Sequence, residues 1–306
     1  MTSSTNSRLI WNEGRSSANE SWYRGEHTNF IADKTNLQEE DAIKKYVLKG
    51  WLPKAPFITK KHLITSFGSC FAQNVQNYLN KKGYKTSSHR FAKDAYIVKC
   101  GAGINTTFAI RQQFEWAFED KSFNENLWYD GDKTLNKQTK EIRSATRKTF
   151  DKTDIFILTL GLSEIWYNKI TNEVFWRGIP KSKFNPDIHS FKISSFKENY
   201  DNLNVIYKLI RKYRPKSTII LTISPVPLIA TFRPISCITA NSVSKSILRT
   251  AVDELYRNVN DSNLYYWPSY EIITNFYTDS YQDDNRHPKQ YIIDNILEQF
   301  NKAYLI

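Results

Sequence analysis

The chain has 306 residues, of which 40% are apolar, enough to build a sizeable core in one large α/β domain or two smaller ones. Its composition excludes a disordered scaffold, because it lacks low-complexity tracts and repeats and carries 8 Trp, 18 Tyr and 18 Phe. The formal net charge of +12 does not predict a nucleic-acid partner, because the basic residues are scattered and no zinc-finger spacing, basic zipper or aromatic RNA-binding signature accompanies them.

The amino-terminal region differs from the rest of the chain. Residues 1–60 are polar and aromatic, and we expect them to form an extension packed on a main domain of residues 61–306. The first residues lack the apolar core of a signal peptide, and no apolar run approaches the ~18 residues of a membrane span. We therefore expect a cytoplasmic protein without a membrane span, whose positive charge leaves peripheral contact with an anionic surface open.

Strand and helix patterns alternate from residue 63 onward. Leu63 to Phe67 predicts a short buried strand. Phe71 to Lys82 carries apolar residues at helical spacing, and Gly83 caps that helix. A second short strand begins at Tyr84, and residues 106–118 predict another helix.

The second half of the chain continues the alternation. The run 154–160 is almost continuously apolar and ends in Gly161, which is typical of a strand buried on both faces. Alternating strands and helices predict a parallel sheet covered on both faces, with polar insertions near 121–150 and 167–198 and a hairpin turning at Thr171-Asn172. The further elements predicted are a helix over 200–213, a strand over 218–223, a helix over 241–258, a strand over 264–267 and a helix over 288–304.

The first candidate for chemistry is Ser69, which follows Gly68 between a strand and a helix. A nucleophile at a helix amino terminus can use nearby N–H groups to hold an oxyanion. Serine is also a preferred N-cap residue, and the two roles are compatible. Cys70 is an alternative nucleophile, although a cysteine one step into a helix more often packs inward. Three widely spaced cysteines predict neither a disulfide framework nor a zinc site.

The candidate base is His287, near the carboxyl terminus. Asp284 precedes it by three positions and can hold the imidazole in one tautomer, as the acid of a Ser-His-Asp arrangement does. Asp283 is an alternative orienting acid, and Pro288 can begin the following helix. Together with Ser69, this pair suggests an ester-processing enzyme.

Other candidates lie at the ends of predicted strands, where ligands of parallel sheets bind. They are Ser163 and Glu164 after the strand 154–160, and Ser224 after the strand 218–223. Glu164 can bind a substrate hydroxyl or take part in acid–base chemistry, or it can accept hydrogen bonds from loop N–H groups. Gly103 and Asn105 can supply a backbone N–H and a side-chain amide to an oxyanion, or form a turn whose asparagine caps the next helix.

With these residues in place, the chain resembles the GSCFA family, whose name is the string at residues 68–72. Three further stretches look like that family: 159–166, 222–228, and 266–271 leading to 284–288. The family is similar to SGNH (GDSL-like) hydrolases. The resemblance implies a three-layer α/β/α fold with a mostly parallel central sheet of flavodoxin-like topology. It also implies Ser69 as nucleophile, Asp284 and His287 as its triad partners, and the backbone N–H groups of Ser69 and Gly103 as oxyanion donors.

The sequence departs from the SGNH pattern at one point. SGNH enzymes carry an asparagine oxyanion donor after the central strand, where this chain has Ser163 and Glu164. An ionised carboxylate cannot donate a hydrogen bond. The third donor is therefore Ser163 or Asn105, or it is absent.

The leading functional expectation is a serine-dependent acyl-ester enzyme, an O-acyl (acetyl) esterase that acts on a carbohydrate or surface-polysaccharide substrate. An acetyl-CoA-dependent O-acetyltransferase is the first alternative, and a non-catalytic glycan-binding or assembly protein is the second. No metal or other cofactor is expected, beyond acetyl-CoA as donor if the protein is a transferase. Trp166, Trp176 and Trp267 can stack on sugar faces, although each also suits core packing.

Overall fold

The computed structural model describes residues 27–87, 105–123, 127–130, 133–134 and 139–306, with only the backbone given for residues 129, 130, 133 and 134. The chain divides into two compact units, Met1–Tyr46 and Val47–Ile306. The described part of the first unit includes a 3-10 turn at Asn36–Gln38. In that unit Glu39 accepts hydrogen bonds from Lys45 at 2.6 Å and from the Tyr46 hydroxyl at 2.8 Å. All the candidate site residues that the structure describes belong to the second unit, and the predicted boundary at residue 60 stays a prediction.

A five-stranded parallel sheet forms the centre of the second unit. Its order is β2-β1-β5-β8-β9, and each neighbouring pair is parallel. This order matches the flavodoxin-like arrangement and confirms the predicted sheet. Every residue of β5 and β8 is buried, as their continuous apolar sequences predict. The strands of the described residues are β1 (Leu63–Gly68), β2 (Lys85–Thr86), β3 (Tyr129–Asp130), β4 (Lys133–Thr134), β5 (Ile155–Leu160), β6 (Glu164–Asn168), β7 (His189–Ile193), β8 (Thr218–Ile223) and β9 (Leu264–Tyr266).

Helices cover both faces of the sheet, which confirms the three-layer α/β/α class. The α-helices are α1 (Cys70–Lys81), α2 (Thr107–Glu119), α3 (Lys140–Lys152), α4 (Phe196–Tyr213), α5 (Cys237–Asn258), α6 (Ser269–Glu271) and α7 (Gln290–Tyr304). Helix α1 packs with α7, whereas α2 packs with α3 and α4, and α4 with α5. None of the helices in the described part of the chain is long and apolar enough to cross a membrane.

Two helices begin earlier than their apolar spacing predicts, because capping serines start them. Helix α4 begins at Phe196, where Ser195 and Glu198 form a capping box with bonds of 3.2 Å and 2.8 Å. Helix α5 begins at Cys237, after Ser236, whose hydroxyl accepts the N–H of Ile238 at 3.3 Å.

Besides the predicted hairpin, the polar insertions contain a helix and a strand pair that their sequences did not predict. Helix α3 lies in the first insertion and buries only Thr146 and Phe150, so its apolar signal is weak. In the second, β6 pairs antiparallel with β7. The predicted hairpin is present in a shorter form, with a single bridge between Tyr167 and Val174 and Asn172 at φ 58°. Because β6 starts just after β5 ends, this small sheet begins at the carboxyl edge of the central sheet.

The end of β1 is held by an aromatic cluster. Phe67 is fully buried, and its ring lies 5.6 Å from that of Phe114 and 6.1 Å from that of Phe150. Burying one such side chain contributes about 1.5–3 kcal/mol. The residue before the Gly68-Ser69 turn is therefore firmly anchored.

Candidate active site

Gly68 makes the turn between β1 and α1 possible. Its φ is +134°, and a Cβ there would lie 2.1 Å from the carbonyl oxygen of Thr159 on the neighbouring strand. Only glycine fits this backbone and this approach. The turn presents Ser69 as the N-cap of α1 at the carboxyl edge of the sheet.

Ser69 carries out its capping role in the structure. Its Oγ accepts the N–H of Phe71 at 3.2 Å, and the residue is 4% exposed. Its own N–H donates to the carbonyl oxygen of Thr159 at 3.2 Å. An oxyanion at this position would therefore share the Ser69 N–H with that carbonyl.

Cys70 does not pack inward. Its side chain is exposed, whereas Phe71 and Ala72 are buried beside it. The first helical position of α1 points away from the core, so the expectation of an inward cysteine is wrong.

Asp284 and His287 are joined in one tight turn. Asp284 Oδ1 accepts the N–H of His287 at 2.9 Å and that of Arg286 at 3.0 Å, and its Oδ2 is bonded to His287 Nδ1. These bonds, led by the backbone N–H of His287, lower the pKa of Asp284 from 3.8 to about 2. Since an ionised carboxylate only accepts, Nδ1 carries a proton. The guanidinium of Arg286 only donates, so the Nε2 that it faces is an acceptor.

The structure brings His287 to Asp284 but not to Ser69. The lone pair of Nε2 faces the Nη1 of Arg286 at 3.3 Å, and the His287 side chain is 47% exposed. Among the described residues, no hydrogen bond joins His287 to Ser69. The two nevertheless lie at one edge of the sheet, because the His287 turn (residues 282–288) is bound to the loop after β8, and β5 alone separates β8 from β1.

Two carbonyl groups of the loop after β8 (residues 224–236, the post-β8 loop) hold the His287 turn and Tyr281, the residue that precedes it. The Tyr281 hydroxyl donates to the oxygen of Pro225 at 2.9 Å, and Arg286 Nε donates to that of Pro227 at 3.2 Å. Ser224 itself is fully buried, and its Oγ accepts the N–H of Val226 at 3.3 Å. Its hydroxyl therefore shapes this loop from within.

The loop after β5 (residues 161–163, the post-β5 loop) uses Ser163 for its own structure. Ser163 is fully buried, and its N–H donates to Ser244 Oγ at 2.8 Å. The two hydroxyl oxygens lie 3.2 Å apart, and the Ser163 carbonyl accepts the hydroxyl of Ser194 at 2.6 Å. Every polar group of Ser163 thus bonds to the protein, which leaves Asn105 as the remaining candidate for a third oxyanion donor.

Glu164 is likewise bound by the protein. It is 4% exposed, and its Oε1 accepts the Thr231 hydroxyl at 3.0 Å and lies 3.6 Å from Arg233. The carboxylate joins the start of β6 to the post-β8 loop.

Asn105 packs against the start of the post-β5 loop. Its carbonyl accepts the N–H of Gly161 at 2.7 Å and that of Leu162 at 3.2 Å. A Cβ on Gly161 would lie 2.5 Å from the Asn105 Cβ, so glycine allows this approach. The cap of α2 is Thr106, so Asn105 is not the capping residue. Its side-chain amide is therefore not occupied by capping; Gly103 lies outside the described residues.

Of the three candidate sugar-stacking tryptophans, only Trp166 reaches the surface. Trp176 and Trp267 are each 2% exposed and belong to the interior. Trp166 is half-buried and forms an aromatic patch with Phe184, Phe191 and Phe232, at ring distances of 5.7, 5.2 and 4.8 Å. Phe232, on the post-β8 loop, is 63% exposed.

Sequence reasoning missed Lys245, a fully buried cation of α5. Its Nζ donates to the carbonyl oxygens of Gly161, Ser224 and Val226 at 2.6, 2.8 and 2.9 Å. Burial, and then the charge of Arg286, lowers the pKa of Lys245 to about 7. One signal was present, because Lys245 falls on the apolar stripe of α5 that continues at residues 248, 252 and 255.

Several solved structures match this chain at TM-scores below 0.5. A GDSL-like lipase from Bacteroides thetaiotaomicron is 11% identical over 79% of this chain and 87% of its own, with a TM-score of 0.39. A carbohydrate esterase of family 3 from Talaromyces cellulolyticus is 11% identical over 78% and 94%, with a TM-score of 0.37. A salicylyl-acyltransferase from a tetracycline biosynthetic pathway is 12% identical over 79% and 53%, with a TM-score of 0.38.

None of the curated protein sequences matches the chain. The model of the GSCFA family, by contrast, matches residues 63–300, from the first strand of the sheet into the last helix. This range includes the Ser69 turn, both loops at the sheet edge and the Asp284-His287 pair. The chain therefore belongs to the GSCFA family.

Proposed function

We propose that this protein is a serine-dependent acyl-ester enzyme with Ser69 as its nucleophile. The observation that carries the proposal is the placement of the Gly68-Ser69 turn and of the bonded Asp284-His287 pair at the same edge of a parallel sheet. A hydroxyl and an oriented imidazole at one sheet edge are the parts that acyl transfer needs.

The reaction proceeds in two steps. His287 Nε2 takes the proton of Ser69 Oγ as Oγ bonds to the acyl carbon, and the same proton then passes to the departing alcohol oxygen as the ester bond breaks. Water or a second hydroxyl then attacks the acyl carbon while His287 Nε2 takes its proton. The bond between Ser69 Oγ and the acyl carbon breaks, the same proton returns to Oγ, and the acid or new ester leaves. Asp284 keeps the imidazole in the required tautomer and stabilises the imidazolium that forms between the two proton transfers.

Two contacts must change before the first step. Ser69 Oγ is bonded to the N–H of Phe71, and His287 Nε2 faces Arg286. A substrate ester that enters between β1 and the His287 turn displaces the Arg286 guanidinium from Nε2. The guanidinium keeps its hydrogen bond to the Pro227 carbonyl. Catalytic hydrogen bonds that are absent without substrate often form on binding.

Asn105 is the proposed side-chain donor to the oxyanion. It lies against Gly161, directly after the strand whose Thr159 carbonyl bonds to Ser69. The Ser69 N–H, shared with that carbonyl, and the N–H of Gly103 are the proposed backbone donors. An oxyanion stabilised by several N–H groups lowers the barrier of both steps.

The proposed reaction is O-acetyl ester hydrolysis on a carbohydrate or surface polysaccharide, carried out in the cytoplasm. The surface aromatic patch beside the post-β8 loop supports a sugar substrate, because exposed aromatic rings can stack on sugar faces. Transfer from acetyl-CoA is the alternative, favoured by the net charge of +12, which suits the phosphates of CoA. A non-catalytic glycan-binding role is favoured by the guanidinium that faces His287 Nε2.

Acetate release separates these functions. We expect the unmodified protein to release acetate from p-nitrophenyl acetate and from an acetylated polysaccharide, and Ser69→Ala and His287→Ala to release none. The matched control is Ser236→Ala, since Ser236 caps α5 as Ser69 caps α1 but is no nucleophile. CoA release that depends on a sugar acceptor would show transfer, and equal rates in all variants would contradict the proposal.

A further inference from the structure

The three acceptors of Lys245 belong to two loops that leave different strands. Gly161 follows β5, whereas Ser224 and Val226 follow β8. Both loops reach the proposed site, because the first contacts Asn105 and the second holds the His287 turn. The Lys245 side chain of α5 therefore links the two loops through hydrogen bonds to their backbone carbonyls.

Only the ammonium form of this side chain satisfies all three contacts, and this form predominates below the lowered pKa of about 7. Three carbonyl oxygens lie 2.6–2.9 Å from Nζ, and a neutral amine has only two N–H groups to donate. Among the described residues, no carboxylate forms an ion pair with Lys245. A buried cation is costly unless hydrogen bonds replace its hydration, and here backbone oxygens alone do so.

The post-β8 loop connects Lys245 to the His287 turn. Val226, whose carbonyl accepts from Lys245, lies between Pro225 and Pro227, whose carbonyls accept from Tyr281 and Arg286. Three successive carbonyls thus hold Lys245 on one side and the His287 turn on the other. A displacement of Val226 moves the residues that position the imidazole.

The post-β5 loop connects Lys245 to Asn105. The Gly161 carbonyl accepts from Lys245, while the Gly161 N–H donates to the Asn105 carbonyl at 2.7 Å. A single residue, Gly161, therefore separates Lys245 from the residue proposed to hold the oxyanion.

We propose that Lys245 is a positioning residue of this site, which sets the distance between the Asn105 segment and the His287 turn by clamping both loops. The inference rests on the proposed function for its catalytic meaning, but the clamp itself is a structural claim. Lys245 does not touch the substrate, because it is 1% exposed and enclosed by the carbonyls that it binds.

The test compares Lys245→Met and Lys245→Arg with two control variants in the full chain. Lys208→Met makes the same change on an exposed face of α4, and Leu255→Ala destabilises α5 from within the core, far along the helix from Lys245. Steady-state acetate release gives kcat and KM. The imidazole NMR signals of His287, assigned by their absence in His287→Asn, report the turn directly.

The expected result is a split between kcat and KM. Lys245→Met loses about 100-fold in kcat with little change in KM, because a misplaced catalytic group slows the chemical step. Lys245→Arg, which keeps the charge and the N–H donors, loses about tenfold, and both controls keep kcat. The His287 signals shift in both Lys245 variants and in neither control.

The NMR readout keeps this inference separate from the proposed function. Unchanged His287 signals in Lys245→Met, or in Lys245→Arg should the methionine variant not fold, overturn the clamp even if the protein is an esterase. If the unsubstituted protein releases no acetate and the His287 signals still shift in both Lys245 variants, the clamp is supported and the esterase function is refuted. A Lys245→Met protein that keeps wild-type kcat also overturns the positioning role.

Discussion

Asp284 is half-exposed, yet the hydrogen bonds of its own turn keep it ionised far into acid. Its folded pKa of about 2 lies below the ordinary value of 3.8. A carboxyl group whose pKa is lower in the folded than in the unfolded protein stabilises the fold at pH values above its unfolded pKa. For Asp284 this contribution is lost as the pH falls from 3.8 toward 2. The acid limb of any activity profile above pH 4 therefore does not arise from Asp284.

Replacing Asp284 by Asn tests its orienting role. The amide can donate to Nδ1 and so favour the wrong tautomer, and we expect kcat to fall by about 10²–10⁴-fold. Asp283→Asn is the matched control, because the neighbouring carboxylate takes no part in the bonds to His287. Steady-state kinetics between pH 5 and 9 measure both variants, and a large loss in Asp283→Asn alone would reverse the assignment.

Asn105 gives a second residue-scale prediction. We expect Asn105→Ala to lower kcat by about 10²–10³-fold with little effect on KM, because an oxyanion donor acts mainly in the transition state. Thr106→Ala removes the cap of α2 next to it and should cost about 1 kcal/mol of stability while kcat is kept. Equal kcat losses in the two variants would show that Asn105 acts only through the fold.

The sequence predicted some site residues and missed others for a physical reason. Asp284 and His287 are only three positions apart, so a local bond between them could be predicted once the Gly68-Ser69 turn was considered with them. The engagement of Ser163 by Ser244, and of Lys245 by two loops, depends on how distant strands and helices meet. The local spacing of residues in the sequence does not show which distant elements come into contact.

At the scale of elements, the turn from β1 to α1 decides whether a nucleophile can be presented at all. Gly68 combines φ +134° with an approach to Thr159 that leaves no room for a Cβ. The central strands were predictable because they are buried on both faces and read as apolar runs. Helix α3 was not, since it buries only two side chains.

Gly68→Ala measures the constraint on this turn. We expect a loss of about 3 kcal/mol or more in the free energy of unfolding, because the added methyl group meets a backbone carbonyl and the φ is unfavourable for alanine. Gly178→Ala is the matched control, since nothing lies within 4 Å of its added Cβ. Urea titration compares the two, and equal losses would contradict the close approach.

At the scale of the whole molecule, the candidate site is assembled from segments far apart in the chain. The Ser69 turn, the two loops and the His287 turn follow different strands and meet at one sheet edge. The flavodoxin-like strand order brings β1, β5 and β8 side by side, and the sequence alternation predicted that sheet. In the proposed function, the substrate binds at this edge, and the aromatic patch lies on the surface beside it.

The aromatic patch predicts that its variants bind a polysaccharide substrate more weakly but not a small one. We expect Phe232→Ala and Trp166→Ala to raise KM for an acetylated polysaccharide by up to about tenfold, since an aromatic contact contributes about 0.5–1.5 kcal/mol. The KM for p-nitrophenyl acetate, which is too small to span the patch, should not change. A matching rise for both substrates would show damage to the site in place of lost sugar contacts.

Labelling with a fluorophosphonate probe, followed by mass spectrometry of the modified peptide, tests the central claim most directly. The probe reacts with an activated serine, and we predict one adduct, on Ser69, that is lost in Ser69→Ala and kept in Cys70→Ser and Ser236→Ala. An adduct that persists in Ser69→Ala, or an unmodified protein that does not label, would contradict the assignment of Ser69 as the nucleophile.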